Sequence, residues 1–190
     1  TEKFEREGIG DARYDLFPLP DITGLPALLA EYPDLKGLNV TLPHKVAVIP
    51  LLNGLDETAA AVGAVNVIRI ENGRLTGFNT DAIGFERSLE FWLEPRDPEN
   101  PQALILGAGG ASKAVAYVLQ KRNIVFRYVS RRPQGENQIG WNELDRLDFT
   151  QIHGIFNATP LGTYPAADTC PDLPFEQLGP QHLVYDLVYN

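Results

Sequence analysis

A lysine and an aspartate, each placed just after a predicted strand, carry the first chemical signal in this sequence. Lys45 follows the short apolar strand Leu38–Thr41, and Asp81 follows the strand Leu75–Phe78. Reduction of a ketone needs a hydride and a proton, and an ammonium held by a nearby carboxylate can donate that proton. The alternative is a surface lysine and a helix-capping aspartate. Spacing alone favours this alternative, because isolated Lys and Asp side chains usually face solvent.

A glycine-rich turn in the second half of the chain gives the pair a chemical context. Gly107–Ser112 (Gly-Ala-Gly-Gly-Ala-Ser) lies between a predicted strand, Ala103–Leu106, and a predicted helix, Ala111–Arg122. In this strand–turn–helix setting the pattern predicts dinucleotide binding, because Gly109 lets a pyrophosphate approach the backbone and the helix N-terminus supplies amide donors. Ser112 stands where Gly or Ala is usual. The alternative is a glycine turn needed only for packing of the strand on the helix.

The end of the following predicted strand, Ile124–Val129, indicates which dinucleotide would bind. An NAD site places Asp or Glu at this position, where it binds the ribose 2′-hydroxyl. Here the strand leads into Ser130, Arg131 and Arg132. Two forked guanidiniums and a hydroxyl suit a 2′-phosphate, so we expect NADP. The alternative is a solvated pair of surface arginines.

Other polar residues near apolar segments are candidates for ligand contacts. Thr41, Asn66 and Asn79 are suited to present neutral hydrogen-bonding groups to a polyhydroxylated ligand, although turn positions are the commoner place for asparagine. The three histidines have no partners at metal-ligand spacing, so the sequence predicts no metal site.

Strand-like and helix-like segments alternate along the chain, which predicts an α/β fold. Thr23–Tyr32 and Asp81–Leu93 are predicted helices, capped by their first residues, and Asn72-Gly73 predicts a hairpin turn that makes the first sheet mixed. The proline-rich segment Glu94–Pro101 predicts a linker between two domains, residues 1–98 and 99–190. The predicted strands are Tyr14–Pro18, Leu38–Thr41, Ala64–Ile70, Leu75–Phe78, Ala103–Leu106, Ile124–Val129, Gly154–Asn157 and Leu183–Leu187.

Composition narrows the classes of partner. The 190 residues carry a formal net charge of −9, which argues against non-specific binding to nucleic acid or to an anionic membrane. Residues 1–98 account for −7 of that charge and residues 99–190 for −2, so we expect an anionic ligand to meet local donors in the second half. The single cysteine, Cys170, excludes a disulfide within the chain and fits a reducing compartment.

Six motifs, spread in order over nearly the whole chain, resemble those of the shikimate dehydrogenase family. They are Asn39–Lys45 (Asn-Val-Thr-Leu-Pro-His-Lys), Gly63–Asn66 (Gly-Ala-Val-Asn), Gly77–Asp81 (Gly-Phe-Asn-Thr-Asp), Gly107–Ala111, Asn157–Thr159 with Gly162, and Asp186–Tyr189 (Asp-Leu-Val-Tyr). The resemblance implies two domains, a mixed-sheet α/β substrate domain over residues 1–98 and a Rossmann-like NADP-binding domain over residues 99–190.

The same resemblance implies an activity and a set of site residues. The reaction would be the reversible, NADPH-dependent reduction of 3-dehydroshikimate to shikimate, in the biosynthesis of chorismate and aromatic amino acids. Lys45 would be the acid/base residue with Asp81 as its partner. The substrate contacts would be Thr41, Lys45, Asn66, Asp81 and Tyr189. The cofactor contacts would be Gly107, Ala108, Gly109, Gly110, Ala111, Ser130, Arg131, Arg132 and Leu187, and Glu57 would approach the nicotinamide end.

Departures from the family pattern leave two other functions open. The family's opening strand with its Ser-x-Ser carboxylate site, and its final helical segment, are not among these residues. The alternatives are a quinate- or shikimate-type dehydrogenase with another acid substrate and a nucleotide-binding regulator without turnover. The resemblance implies a cytoplasmic monomer or homodimer that binds a small molecule, with neither nucleic acid nor membrane as partner.

Overall fold

The computed structural model of the protein describes residues 2–93 and 101–188. Contacts divide the chain into two compact units, Thr1–Leu35 and Lys36–Asn190. The chemistry-bearing residues considered above all belong to the second unit. The linker predicted over Glu94–Pro101 falls almost entirely outside the described residues, and the domain boundary after residue 98 stays a prediction.

The first unit is mostly irregular, with helices α1 (Glu2–Arg6) and α2 (Leu25–Glu31). The predicted strand Tyr14–Pro18 is wrong, because within the described part of the chain no strand pairs with it. The predicted helix Thr23–Tyr32 begins instead with a 3₁₀ turn whose cap is Asp21, since the Asp21 carboxylate accepts hydrogen bonds from the backbone and the hydroxyl of Thr23.

The second unit begins with the elements β1 (Gly37–Asn39), α3 (His44–Ala47), β2 (Gly54–Leu55), α4 (Glu57–Val62), β3 (Val67–Glu71) and β4 (Arg74–Phe78). The four strands form a mixed sheet in the order β1-β3-β4-β2. The hairpin is confirmed, since β3 and β4 pair antiparallel around Asn72 and Gly73, which have φ of 50° and 75°. Helix α4 was not predicted, although Asp56 caps it and Gly63 ends it in the left-handed conformation.

The second half of the chain contains the elements β5 (Gln102–Leu106), α6 (Gly110–Lys121), β6 (Val125–Ser130), β7 (Gln138–Gly140), β8 (Gly154–Asn157) and β9 (Leu183–Asp186). The five strands form a second sheet, all parallel, in the order β7-β6-β5-β8-β9. This third-second-first-fourth-fifth order is that of dinucleotide-binding α/β domains, in which ligands bind at the carboxyl ends of the strands. The predicted α/β class and the Rossmann-like second half are confirmed.

Both faces of the second sheet are buried, which explains the uninterrupted apolar run in β5. Ala103 and Ile105 face a core shared with the helices, while Leu104 and Leu106 face a second core. Such continuous runs are typical of parallel strands covered on both sides.

Helix α5 (Thr80–Leu93) joins the first sheet to the core of the second. It follows β4 directly, and its Phe85 ring meets Phe156 of β8 and Tyr185 of β9 edge-on, with ring centroids 5.3 and 5.4 Å apart. This packing fixes the N-terminal end of α5 relative to both sheets.

Two glycines close to the site give opposite predictions for stability. A Cβ at Gly77 in β4 would lie 2.6 Å from Leu52 Cδ1 and 2.7 Å from Cγ2 of the fully buried Val65, whereas a Cβ at Gly84 in α5 meets nothing within 4 Å. We expect Gly77→Ala to lower the free energy of unfolding by about 1–3 kcal/mol, through overpacking. The matched change Gly84→Ala should raise it by about 0.5–1 kcal/mol, through helix propensity. Urea unfolding of the intact protein measures both, and equal effects would contradict this packing.

Candidate active site

Lys45 and Asp81, 36 residues apart, form the ion pair at the centre of the candidate site. Lys45 Nζ donates to Asp81 Oδ2 at 2.7 Å, and the two side chains are 16% and 35% exposed. The other carboxylate oxygen, Oδ1, accepts a hydrogen bond of 2.7 Å from Asn66 Nδ2. The carboxylate is therefore held from two sides while the pair keeps access to solvent, as a group that must meet a substrate requires.

Three chain segments meet here because of how the first sheet is connected. Strand β1 ends, β3 begins and β4 ends at one edge of the sheet, so the residues beyond those ends come together. Lys45 follows β1, Asn66 precedes β3 and Asp81 follows β4. Backbone bonds tie the segments, since Val65 N–H donates to the Lys45 carbonyl at 2.7 Å and Val40 N–H to the Asn66 carbonyl at 2.8 Å.

Asn79, and not Asp81, caps helix α5. Asn79 Oδ1 accepts from Ala82 N–H at 3.0 Å, and Asn79 Nδ2 donates to the Ala64 carbonyl at 2.9 Å. The prediction that Asp81 is the cap is wrong, because the buried Asn79 takes that position and leaves the Asp81 carboxylate to Lys45 and Asn66. Asn79 itself, 1% exposed and bonded at both ends of its amide, is a structural residue and is not available to a ligand.

The remaining predicted substrate contacts are less closely grouped. Thr41 is exposed just beyond β1, where its carbonyl accepts from His44 N–H at 2.9 Å. Glu57 is exposed at the start of α4. Tyr189 lies outside the described residues. No cluster of three or more His, Cys, Asp or Glu side chains suited to a metal ion occurs among the residues that the structure describes.

The glycine turn has the backbone that a phosphate-binding turn needs. Gly107 has φ of +100°, and a Cβ there would lie 3.1 Å from the Ala158 carbonyl oxygen, so only glycine fits. Ala108 and Gly109 are exposed, and a Cβ at Gly109 would project into open space. Ser112 is fully buried and accepts a hydrogen bond from Gly109 N–H at 3.2 Å, which gives the unusual third position a structural role.

The other predicted cofactor residues line the same edge of the second sheet. In the strand register Leu106 is opposite Val129 and Asn157, so Gly107 after β5, Ser130 at the end of β6 and Leu187 after β9 lie at neighbouring strand ends. Arg131 and Arg132 are exposed, whereas Ser130 is only 8% exposed and lies 3.3 Å from Gln138 Oε1. Leu187 N–H donates to the Asn157 carbonyl at 3.0 Å. Ala111 is half-buried in the first turn of α6.

The glycine turn and the ion pair are in direct contact, which sequence spacing did not reveal. A Cβ at Gly110 would lie 3.2 Å from Lys45 Cβ and 3.5 Å from Lys45 Cδ, so the lysine stem runs over this glycine. Gly110 therefore serves the placement of Lys45 as well as the turn. Its position in a glycine run was the only available signal, and that signal pointed to the cofactor.

Asn157 and Asp186 form a second network that sequence reasoning left without a role. Asn157 is 4% exposed, and its Nδ2 donates to Asp186 Oδ1 at 2.9 Å across the ends of β8 and β9. Asn157 Oδ1 accepts from Thr159 Oγ1 at 2.7 Å. The network fixes the Ala158–Thr159 segment against which Gly107 turns.

Comparison with known proteins identifies relatives of this chain. Residues 1–68 match the family model of the shikimate dehydrogenase substrate binding domain. A shikimate dehydrogenase (NADP(+)) of Desulforamulus reducens is 38% identical over 187 residues, 89% of this chain and 62% of that protein. The chain thus spans about three fifths of the length of the curated relatives first matched, such as the 60% of the Methanosphaera stadtmanae enzyme.

Two solved structures are also similar to this chain. The shikimate 5-dehydrogenase of Thermus thermophilus, solved with NADP(H) and shikimate, superposes with a TM-score of 0.77 at 32% identity, covering 98% of this chain and 70% of that one. The ligand-free 5-ketofructose reductase of a Gluconobacter strain superposes with a TM-score of 0.69 at 27% identity, covering 96% and 70%.

A mixed sheet followed by a five-stranded parallel sheet, with a lysine–carboxylate pair against the glycine turn, is the arrangement of a two-domain α/β protein with a Rossmann-like half. Within that class, the chain belongs to the shikimate dehydrogenase family. In the described part of the chain no helix has the length and apolar character needed to cross a membrane.

Proposed function

We propose that the protein is an NADP-dependent shikimate dehydrogenase, which reduces 3-dehydroshikimate to shikimate reversibly in chorismate and aromatic amino-acid biosynthesis. The observation that carries the proposal is the Lys45–Asp81 pair, 2.7 Å apart, with the lysine stem running over Gly110 of the nucleotide turn. This contact places a candidate proton donor beside the turn that we propose for cofactor binding, which supports a nicotinamide-dependent reduction of a ketone. The Desulforamulus relative is named for this activity.

Lys45 is the proposed acid/base residue. In the reducing direction its ammonium gives a proton to the carbonyl oxygen while the carbonyl carbon gains a hydride, and in the oxidising direction the neutral amine takes the hydroxyl proton. Asp81 orients the Nζ atom through the 2.7 Å bond, and Asn66 stops the carboxylate from rotating by holding its other oxygen. A fixed donor makes proton transfer faster because less reorganisation is needed in the transition state.

The residues at the carboxyl ends of the strands of the second sheet suit the binding of NADP. Open space above Gly109 leaves room for a pyrophosphate, and the first amides of α6 are donors for it. The exposed guanidiniums of Arg131 and Arg132 follow β6, at the position where an NAD site has a carboxylate that binds the ribose 2′-hydroxyl. When bound, the reduced nicotinamide supplies the hydride. The other proposed cofactor contacts are Gly107, Ala108, Gly110, Ala111, Ser130 and Leu187.

The substrate contacts that we propose are Thr41, Lys45, Asn66, Asp81 and Tyr189. Shikimate carries a carboxylate and several hydroxyls, and the Thr41 hydroxyl suits one of these hydroxyls. The Asn66 Nδ2 already donates to Thr80 and Asp81, so we propose that Asn66 meets the substrate through Oδ1, which accepts one hydrogen bond from Thr80 N–H and can accept a second. We further propose that the enzyme works in the cytoplasm as a monomer or homodimer, with neither nucleic acid nor membrane as a partner. The acidic net charge of −9 supports the exclusion of nucleic acid.

A second candidate is a dehydrogenase of the same fold that reduces another polyhydroxylated ketone or acid, quinate-type substrates included. The similarity to the 5-ketofructose reductase favours this second candidate, because that protein is 27% identical to this chain and is named for a different ketone. A nucleotide-binding regulator without turnover is the remaining alternative. The intact Lys45–Asp81–Asn66 arrangement disfavours the regulator, since nucleotide binding alone does not require an acid/base pair.

Removing the Lys45 ammonium should separate turnover from cofactor binding. Lys45→Met keeps an unbranched stem over Gly110 and loses only the ammonium, so we expect the turnover number to fall by about 10²–10⁴. The affinity for NADPH, measured by fluorescence titration of the intact protein, should change less than about threefold, because Lys45 is not among the residues proposed to hydrogen-bond NADPH. The control is Lys36→Ala, an exposed lysine beside β1. Near-normal turnover of Lys45→Met would remove Lys45 from the mechanism.

Arg131→Ala should act on NADP alone. Charge-assisted contacts to a 2′-phosphate contribute about 1.5–3 kcal/mol, so we expect the Michaelis constant for NADP to rise roughly ten- to a hundredfold and that for NAD to stay nearly constant. Arg87→Ala, an exposed arginine on α5, is the matched control. An equal rise for both cofactors, or no rise, would contradict the assignment of Arg131 to the 2′-phosphate.

A further inference from the structure

Lys113 on helix α6 connects the nucleotide-binding half to the segment that holds the ion pair. Its Nζ atom donates to the Gly63 carbonyl at 3.3 Å, and the side chain is half-buried. Lys113 is the fourth residue of α6, three positions beyond Gly110. It has no place in the acid/base pair or among the proposed cofactor contacts.

Helix electrostatics account for the direction of this side chain. The first turn of α6 is the positive end of a helix, where a cation is unfavourable, and the last turn of α4 is a negative end, where it is favourable. Gly63 ends α4 in the left-handed conformation, with φ of 65°. The Lys113 ammonium therefore leaves its own helix and binds a carbonyl at the C-terminus of the other.

The carbonyl that Lys113 binds begins the segment Gly63–Asn66, which fixes both members of the ion pair. Two residues on, Val65 N–H holds the Lys45 carbonyl at 2.7 Å, and three residues on, Asn66 Nδ2 holds Asp81 Oδ1 at 2.7 Å. A shift of Gly63 would thus move the backbone of Lys45 and the side chain of Asp81.

We propose that Lys113 is a positioning residue for the reaction, which sets the Lys45–Asp81 pair relative to the nucleotide turn by anchoring Gly63. The proposal rests on the dehydrogenase function argued above. Helix α6 then has two contacts with the site. Gly110 lies against the Lys45 stem, and Lys113 binds the Gly63–Asn66 segment. Turnover then depends on how α6 is placed, through a residue that touches neither substrate nor reacting atoms.

The test compares Lys113→Met, Lys113→Arg and Lys121→Met in the intact protein. Methionine keeps the stem and removes the donor, whereas arginine keeps a donor that reaches Gly63. Lys121, at the other end of α6, is the control, because its ammonium pairs with Glu86 at 2.9 Å and not with the Gly63–Asn66 segment. The hydrogen bond to Glu86 and the charge of that carboxylate raise the pKa of Lys121. We measure the turnover number, the Michaelis constants for NADP and shikimate, and backbone amide hydrogen exchange.

For Lys113→Met we expect a loss of about three- to tenfold in turnover number, the effect of one half-buried charged hydrogen bond, with the Michaelis constant for NADP nearly unchanged. Lys113→Arg should restore most of it, and Lys121→Met should match the wild type. Exchange of the Val65 amide should accelerate in Lys113→Met, while the amide of Leu104, in the core of the second sheet, stays protected.

Two kinetic results would overturn the proposal. A raised Michaelis constant for NADP with unchanged turnover would make Lys113 a direct cofactor contact, and unchanged kinetics and exchange would leave it no role in positioning. If the wild-type protein turns over no substrate, the proposed function fails separately, and Val65 exchange still decides whether Lys113 anchors the segment.

Discussion

The carboxylate of Asp81 is the group on which the arrangement of the site depends. Its two oxygens accept from two different parts of the first sheet, Lys45 after β1 and Asn66 before β3, each at 2.7 Å. The carboxylate also lies in the first turn of α5, where the helix dipole favours a negative charge. Because α5 packs on the core of the second sheet, one side chain relates Lys45, the proposed acid/base residue, to the half of the molecule that carries the glycine turn.

Much of the fold could be predicted because local chemistry and the final structure agree. Asn72-Gly73 gave the hairpin, since both residues tolerate positive φ, and the glycine turn between β5 and α6 gave the βαβ unit. The two failures in secondary structure have different causes. Helix α4 is six residues long and three of them are alanine, so it lacks a clear apolar stripe. The strand expected over Tyr14–Pro18 had the right pattern, but pairing in a sheet depends on a partner that periodicity does not reveal.

The sequence pointed to the residues that meet around the Asp81 carboxylate, but it did not show which of the neighbouring polar residues caps the helix. Asn79 and Asp81 are both good helix caps two residues apart, and only burial of the Asn79 amide against the Ala64 carbonyl decides which of them caps α5. The approach of Gly110 to the Lys45 stem joins residues 65 positions apart in two different helices, α6 and α3. A run of glycines gives no measure of such a distance, so the double use of this turn emerged only from the three-dimensional structure.

The central claim is that this arrangement oxidises shikimate with NADP, and one steady-state assay tests it most directly. The intact protein is supplied with shikimate or quinate, each with NADP or NAD, and the initial rate of nicotinamide reduction is followed by absorbance. The account predicts that shikimate with NADP has the highest kcat/KM of the four combinations, by at least about tenfold over shikimate with NAD, the factor expected from one charge-assisted phosphate contact. A higher kcat/KM with quinate, equal use of the two cofactors, or no turnover in any combination would contradict it.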